Sequence, residues 1–176
     1  MRFFFFPLPI LLAAFFVCCS GAGTQAKRPG DFSVEYGWAE GSLPPPYHYE
    51  YGINIQPDGK SQITFVPDYP SASAPKWVES FTVSGEKLDG LYRLMAEEGL
   101  FTREWKQTDS PPTGAPSHSL TVTAGGKTFG VRDYLIPEQE PAASAMFEAV
   151  EALVPGDIRA SLKARRQQYV QEHRRN

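Results

Sequence analysis

Between Trp77 and Phe101 the spacing of apolar residues changes period once, and the change predicts a strand running into a helix. Trp77, Phe81 and Val83 alternate with Val78, Ser80 and Thr82, the two-residue repeat of a half-buried strand. Leu88, Leu91, Tyr92 and Met95 then recur at i, i+3, i+4 and i+7, a stripe suited to packing on a sheet. Ser84 stands where an N-cap belongs, its hydroxyl able to accept from a free amide of the first turn. Gly99 is able to take the left-handed position after the helix, which folds Leu100 back onto Met95.

Alternation of the strand type recurs on both sides of this unit. Phe32, Val34, Tyr36 and Trp38 mark a first strand. Residues 47–56 are the most regular: Tyr47, Tyr49, Tyr51, Ile53 and Ile55 share one face, and His48, Glu50, Gly52, Asn54 and Gln56 the other. Pro57-Asp58-Gly59 predicts a turn and residues 62–66 the returning strand. Residues 102–107, with Trp105, read as a short strand. Residues 118–123 and 127–132 form a second hairpin around Ala124-Gly125-Gly126, with Leu120, Val122, Phe129 and Val131 inward. A helix is expected from Glu138, carrying Ala143, Met146, Phe147, Val150 and Val154, and it ends at Pro155-Gly156. A last helix follows, with Ile158, Leu162 and Tyr169 as a narrow stripe that docks while its arginines stay solvated. Hairpins with helices segregated from them imply an α+β domain: an antiparallel sheet of five to seven strands with helices on one face.

The succession PPPYHYEY–GINIQPDG, then WVESFTVSGEKLDGLYRLMAEEGLF, then SLTVTAGGKTFGV resembles a group of uncharacterised bacterial secreted proteins and lipoproteins. The resemblance covers residues 33–154 and is one of pattern. It implies the fold and export, and it transfers no site residue.

The amino terminus changes the picture from a bare fold to an exported one. Arg2 precedes an apolar run from Phe3 to Val17, interrupted by Pro7 and Pro9 and too short for a comfortable membrane span. It ends at Cys18-Cys19-Ser20-Gly21, which resembles a bacterial lipoprotein signal with Cys19 acylated. The residues before Cys19 depart from the usual pattern, and cleavage after Ala22 or Ala26 is the alternative. The organisation expected is therefore a signal sequence over 1–19, a flexible tether over 20–31, the α+β domain over 32–154 and a basic helix over 155–176. The expected location is the cell envelope, held through a lipid anchor rather than a spanning helix, or outside the cell by secretion. Its only cysteines are the pair in the signal, so no disulfide framework is expected in the domain.

Charge divides the chain. Residues 29–154 hold 18 acidic and 8 basic side chains, a net of −10; residues 155–176 hold 2 and 6, a net of +4. An acidic body argues against a nucleic-acid partner.

Candidate chemistry is sparse. His48, His118 and His173 lack a second ligand at metal spacing, and HExxH and CxxC are absent, so neither metal nor cofactor is expected. His48 and Glu50 share a strand face that reads as solvated. Ser117 and His118 are adjacent on a strand and point to opposite faces, so they make no nucleophile–base pair. Gly125-Gly126-Lys127 lacks the strand–loop–helix context of a phosphate loop. Pro44-Pro45-Pro46-Tyr47 contains a PPxY string, read more simply as a stiff entry to the strand. Tyr47, Tyr49 and Tyr51, with His48 and Glu50 beside them, are the candidate binding residues, as a flat aromatic platform for peptide or sugar. The expected function is a non-catalytic domain that binds or scaffolds a protein or glycan partner. The alternative is a small hydrolase whose carboxylates, such as Glu50 and Glu79, meet only in three dimensions.

Overall fold

The computed structural model describes residues 27–71 and 74–174. The signal sequence, Cys19 and the start of the tether lie outside the described residues. Along the chain come β1 (Ser33–Ala39), β2 (Glu50–Ile55), β3 (Lys60–Val66), β4 (Trp77–Thr82), α1 (Gly85–Glu97), β5 (Ser117–Ala124), β6 (Lys127–Arg132), α2 (Glu140–Ala152) and α3 (Gly156–His173). The six strands form one sheet in the order β4-β3-β2-β1-β5-β6 with every pair antiparallel. This is an α+β fold.

The strand-to-helix unit forms as its periodicity requires. The Ser84 hydroxyl accepts from the Lys87 amide at 3.4 Å. Gly99 has φ +83°, and the Leu100 amide reaches back to the Met95 carbonyl at 2.9 Å while that of Gly99 reaches Ala96 at 3.1 Å. These two bonds are the Schellman pattern, and they bury Leu100 beside Met95.

One face of the sheet carries the core. Val34, Tyr36, Ile53, Ile55, Ile63, Phe65, Leu120, Val122 and Val131 meet Leu88, Leu91 and Met95 of α1 and Met146, Phe147 and Val150 of α2. Leu162 of α3 is only 3 % exposed and belongs to the same cluster, with Ile158 packed against it, so α3 docks on the domain by its apolar stripe, as its spacing predicts. The other face is mostly polar or bare, with Glu35, Gly37, Asn54, Gln62, Thr64, Ser80, Ser119 and Thr121 all unburied; Val66, buried, and Val78, exposed, are its apolar members.

Several boundaries differ from expectation. β2 begins at Glu50, not Tyr47, because pairing with β1 and β3 starts there; residues 41–49 are loop. Residues 102–107 make no strand beyond a single bridge from Gln107 to Leu135. Their backbone is instead satisfied by one side chain, Gln139, which accepts from the Lys106 amide at 2.8 Å and donates to the Glu104 carbonyl at 2.9 Å. That use of Gln139, with Pro141 in the first turn, sets the start of α2 at Glu140 rather than Glu138. The flexible tether also ends earlier than residue 31. Arg28 pairs with Asp89 of α1 at 2.7 Å, and the Asp31 carboxylate accepts from the amides of Gly125 and Gly126 at 2.8 and 2.6 Å. Those two bonds hold the Asp31 carboxyl below its ordinary pKa.

Candidate functional site

Strand register places Trp77, Phe65, Tyr51, Trp38 and His118 in a single row across five strands on the helix-covered face. Neighbouring strands lie about 4.8 Å apart, so flat rings in one row stand parallel, each against the next. Phe65 lies 5.5 Å from Trp77 and 6.2 Å from Tyr51, with interplanar angles of 7° and 4°. Tyr51 lies 5.3 Å from Trp38 at 20°. Tyr49, just before β2, packs on Phe65 at 5.4 Å and on Trp38 at 4.6 Å.

α3 crosses above this row and leaves a groove of about 320 Å³. Its floor is Tyr49, Tyr51, Ile53, Ile63 and Phe65; Val154 and Leu162 close it from above, and Arg159, Lys163 and Arg166 line the wall. Arg166 lies with its guanidinium carbon 3.9 Å from the Tyr49 ring centroid and donates to the Tyr47 carbonyl at 3.0 Å. Burial raises the Tyr49 pKa, with the Arg166 charge opposing it.

At the inner end of the groove Glu151 of α2 gathers a part-buried polar cluster. Its Oε1 accepts from the Tyr51 hydroxyl at 2.6 Å and from the Tyr36 hydroxyl. Tyr36 Oη also lies 2.9 Å from His118 Nδ1. The Tyr36 hydroxyl has one hydrogen and gives it to Glu151, so His118 Nδ1 carries a proton and donates to Tyr36. Phe147 stacks on the imidazole at 5.0 Å and 10°. Burial, followed by the bond to Glu151, pushes both tyrosine pKa values well above the ordinary phenol value. Beyond His118 a cleft of about 380 Å³ holds Asp133, Tyr134, Ser144 and Glu148. Asp133 accepts from the His118 amide, and burial raises its carboxyl pKa against that bond. His118 bonds to neither Ser144 nor Tyr134 among the described residues, so no activated nucleophile is assembled there.

The expected site residues separate. Tyr49 and Tyr51 come together in the groove. Tyr47 lies on the preceding loop, 39 % exposed, and contributes its carbonyl rather than its ring. His48 is not on a solvated strand face: it is 5 % exposed, stacked on Tyr69 at 3.9 Å, with Nδ1 3.2 Å from the Gly41 carbonyl. It turns inward because the chain has not yet entered the sheet, so strand alternation does not apply. Glu50 points to the open face, paired with Val66 and Ala39, whereas Glu79 faces the helices opposite Ile63 and binds Arg165 at 3.0 Å. These two carboxylates stand on opposite sides of the sheet and cannot converge on one bond. The rings, moreover, offer no flat platform, since the faces of Phe65 and Tyr51 are taken by neighbouring rings.

The arginines of α3 are not all solvated either. Arg165 stacks over Trp77 at 4.6 Å and pairs with Glu79, and Tyr169 meets Trp77 edge-on at 6.4 Å. Glu151, Tyr36 and His118 were not singled out as a cluster by sequence. One signal was present: Glu151 lies four residues after Phe147, a carboxylate on the inward stripe of α2. No group of metal-ligating side chains occurs among the described residues, and no helix among them is long and apolar enough to cross a membrane.

No protein-family model matches the chain, and no curated protein sequence matches it.

Proposed function

We propose that the protein is a non-catalytic exported domain, held at the cell envelope by a lipid on Cys19 or secreted, that binds a protein partner in the groove beneath α3. One observation carries this reading: the groove is floored by Ile53, Ile63 and Phe65 and roofed by Leu162, while the Tyr51 hydroxyl and Glu151 Oε1 at its inner end are already engaged with one another. Apolar concavities of this size accept a side chain or two from a partner. A glycan is supported less, because a sugar carries a hydroxyl at nearly every carbon and the Tyr51 hydroxyl and Glu151 Oε1 that line the groove are already bonded. The pattern resemblance to secreted proteins and lipoproteins supports the export half of the reading.

A photo-crosslinking amino acid placed at Lys163, on the groove wall, tests it in cells. The same residue at Glu35, on the open face, is the control. A defined protein adduct from position 163 and none from position 35 is the expected result; adducts from 35 alone overturn the groove. For the anchor, Cys19→Ser is expected to move the exported protein from the membrane to the soluble fraction. Unchanged membrane retention with no acyl group by mass spectrometry removes the lipid.

A further inference from the structure

The wall of the groove is charged in a way the body of the chain is not. Arg159, Lys163 and Arg166 succeed one another at four and three residues, so they share one face of α3 over two turns, about 10 Å of helix. The carboxylates whose charge reaches Tyr49 on the floor are engaged elsewhere: Glu151 with the two tyrosine hydroxyls, Glu40 with the Gly41 amide at 3.0 Å. Among the described residues no carboxylate forms an ion pair with any of the three cations.

Arg165, one position away, shows the contrast. It has both an aromatic ring beneath it and a carboxylate partner in Glu79. Arg166 has the ring and a single carbonyl, and its Nε is buried with no hydrogen-bond partner. A guanidinium carries five donors in a rigid fork matched to a carboxylate, and a buried donor left unpaired is costly. In a body with 18 acidic residues against 8 basic over 29–154, a neighbouring carboxylate is the easy solution, and none is supplied.

We infer that the partner presents an acidic segment: an apolar side chain seated between Ile53, Ile63 and Leu162, flanked by aspartate or glutamate carboxylates that pair with Arg166 and with Arg159 or Lys163. Three cations spread over two turns match several carboxylates along a peptide better than the single carboxylate of a chain terminus. This rests on reading the groove as a protein-binding site.

The test selects from a displayed library of random heptapeptides, using the folded domain as bait. Recovered peptides are then measured by fluorescence anisotropy. The expected result is enrichment of a Leu or Phe flanked by Asp or Glu, with affinity falling as salt rises. Arg166→Gln is expected to weaken binding roughly tenfold or more, as loss of a charge-assisted bidentate contact does. Because Arg166 also holds the Tyr47 carbonyl, the pair Arg159→Ala with Lys163→Ala serves as a second variant. Both residues are exposed and unpaired, and the pair is expected to weaken binding while leaving the melting temperature unchanged. Enrichment of apolar peptides without acidic residues overturns the charge inference and leaves the protein-binding groove standing. Failure to enrich any peptide overturns both. Tighter binding of an acidic hexauronate than of every selected peptide, lost in Arg166→Gln, reassigns the groove to a saccharide.

Discussion

The Tyr51 hydroxyl on β2 donates to Glu151 Oε1 on α2 at 2.6 Å, joining residues 100 positions apart in sequence. Through this bond and its twin from Tyr36, one carboxylate ties the centre of the sheet to the helix that leads into α3. At the inner end of the groove Glu151 Oε1 is thereby already engaged by two phenol donors.

Removing that carboxylate takes the shared acceptor from two part-buried phenol donors. Glu151→Ala is expected to cost about 2–4 kcal/mol in urea denaturation, since each stranded donor costs roughly 1–3 kcal/mol. Tyr51→Phe, which removes one donor and leaves Glu151 its bond from Tyr36, is expected to cost about 1 kcal/mol. A Glu151→Ala protein as stable as the native one would show that the cluster contributes nothing.

The same cluster fixes the direction of an alkaline effect. Tyr36 and Tyr51 have pKa values raised above the ordinary 10.0 in the folded protein. The unfolded chain therefore loses these protons first, and the folded state holds its full advantage only below a pH of about 10. Stability is expected to fall as pH rises beyond that value, with tyrosinate absorbance of these two groups appearing only on unfolding. The double variant Tyr36→Phe with Tyr51→Phe should flatten that fall. A folded protein whose tyrosines all ionise near pH 10 contradicts the prediction.

Gly59 turns β2 into β3 at φ +85°, and a Cβ built there sits 2.2 Å from the Val83 carbonyl oxygen. Gly59→Ala is therefore expected to cost about 2 kcal/mol or more, through both backbone strain and the clash. Gly125, at φ +61° with open space around it, separates the two effects: Gly125→Ala should cost only the left-handed penalty, about 1 kcal/mol. Equal losses in thermal melts would mean that the Val83 contact relaxes freely.

Helix α1 offers the simplest comparison of faces. Leu91 is 5 % exposed in the core and Glu97 lies in solvent. Leu91→Ala is expected to cost about 2–5 kcal/mol and Glu97→Ala no more than about 0.5 kcal/mol. Comparable denaturation midpoints for the two variants would place the helix on the wrong face.

What the chain declares by itself is what lies within a few residues of itself. The stripe of Leu88, Leu91 and Met95, the Ser84 cap, the Gly99 stop and the turns at Gly59 and Gly125-Gly126 are local geometry, written in spacings of two to four residues. Hence the antiparallel α+β architecture and most element limits were legible. Tyr49 and Tyr51 were legible as candidates because alternation marks their face. The rest depends on register and on docking, which no local spacing records. His48 escaped its strand pattern because β2 starts two residues later, where β1 and β3 supply partners. Glu50 and Glu79 fall on opposite faces only once β2, β3 and β4 are paired. Glu151 meets Tyr36 and Tyr51, and Arg166 meets Tyr49, only when α2 and α3 pack across the sheet. Such contacts join side chains about a hundred residues apart, and burial, not sequence proximity, decides which polar groups must find each other.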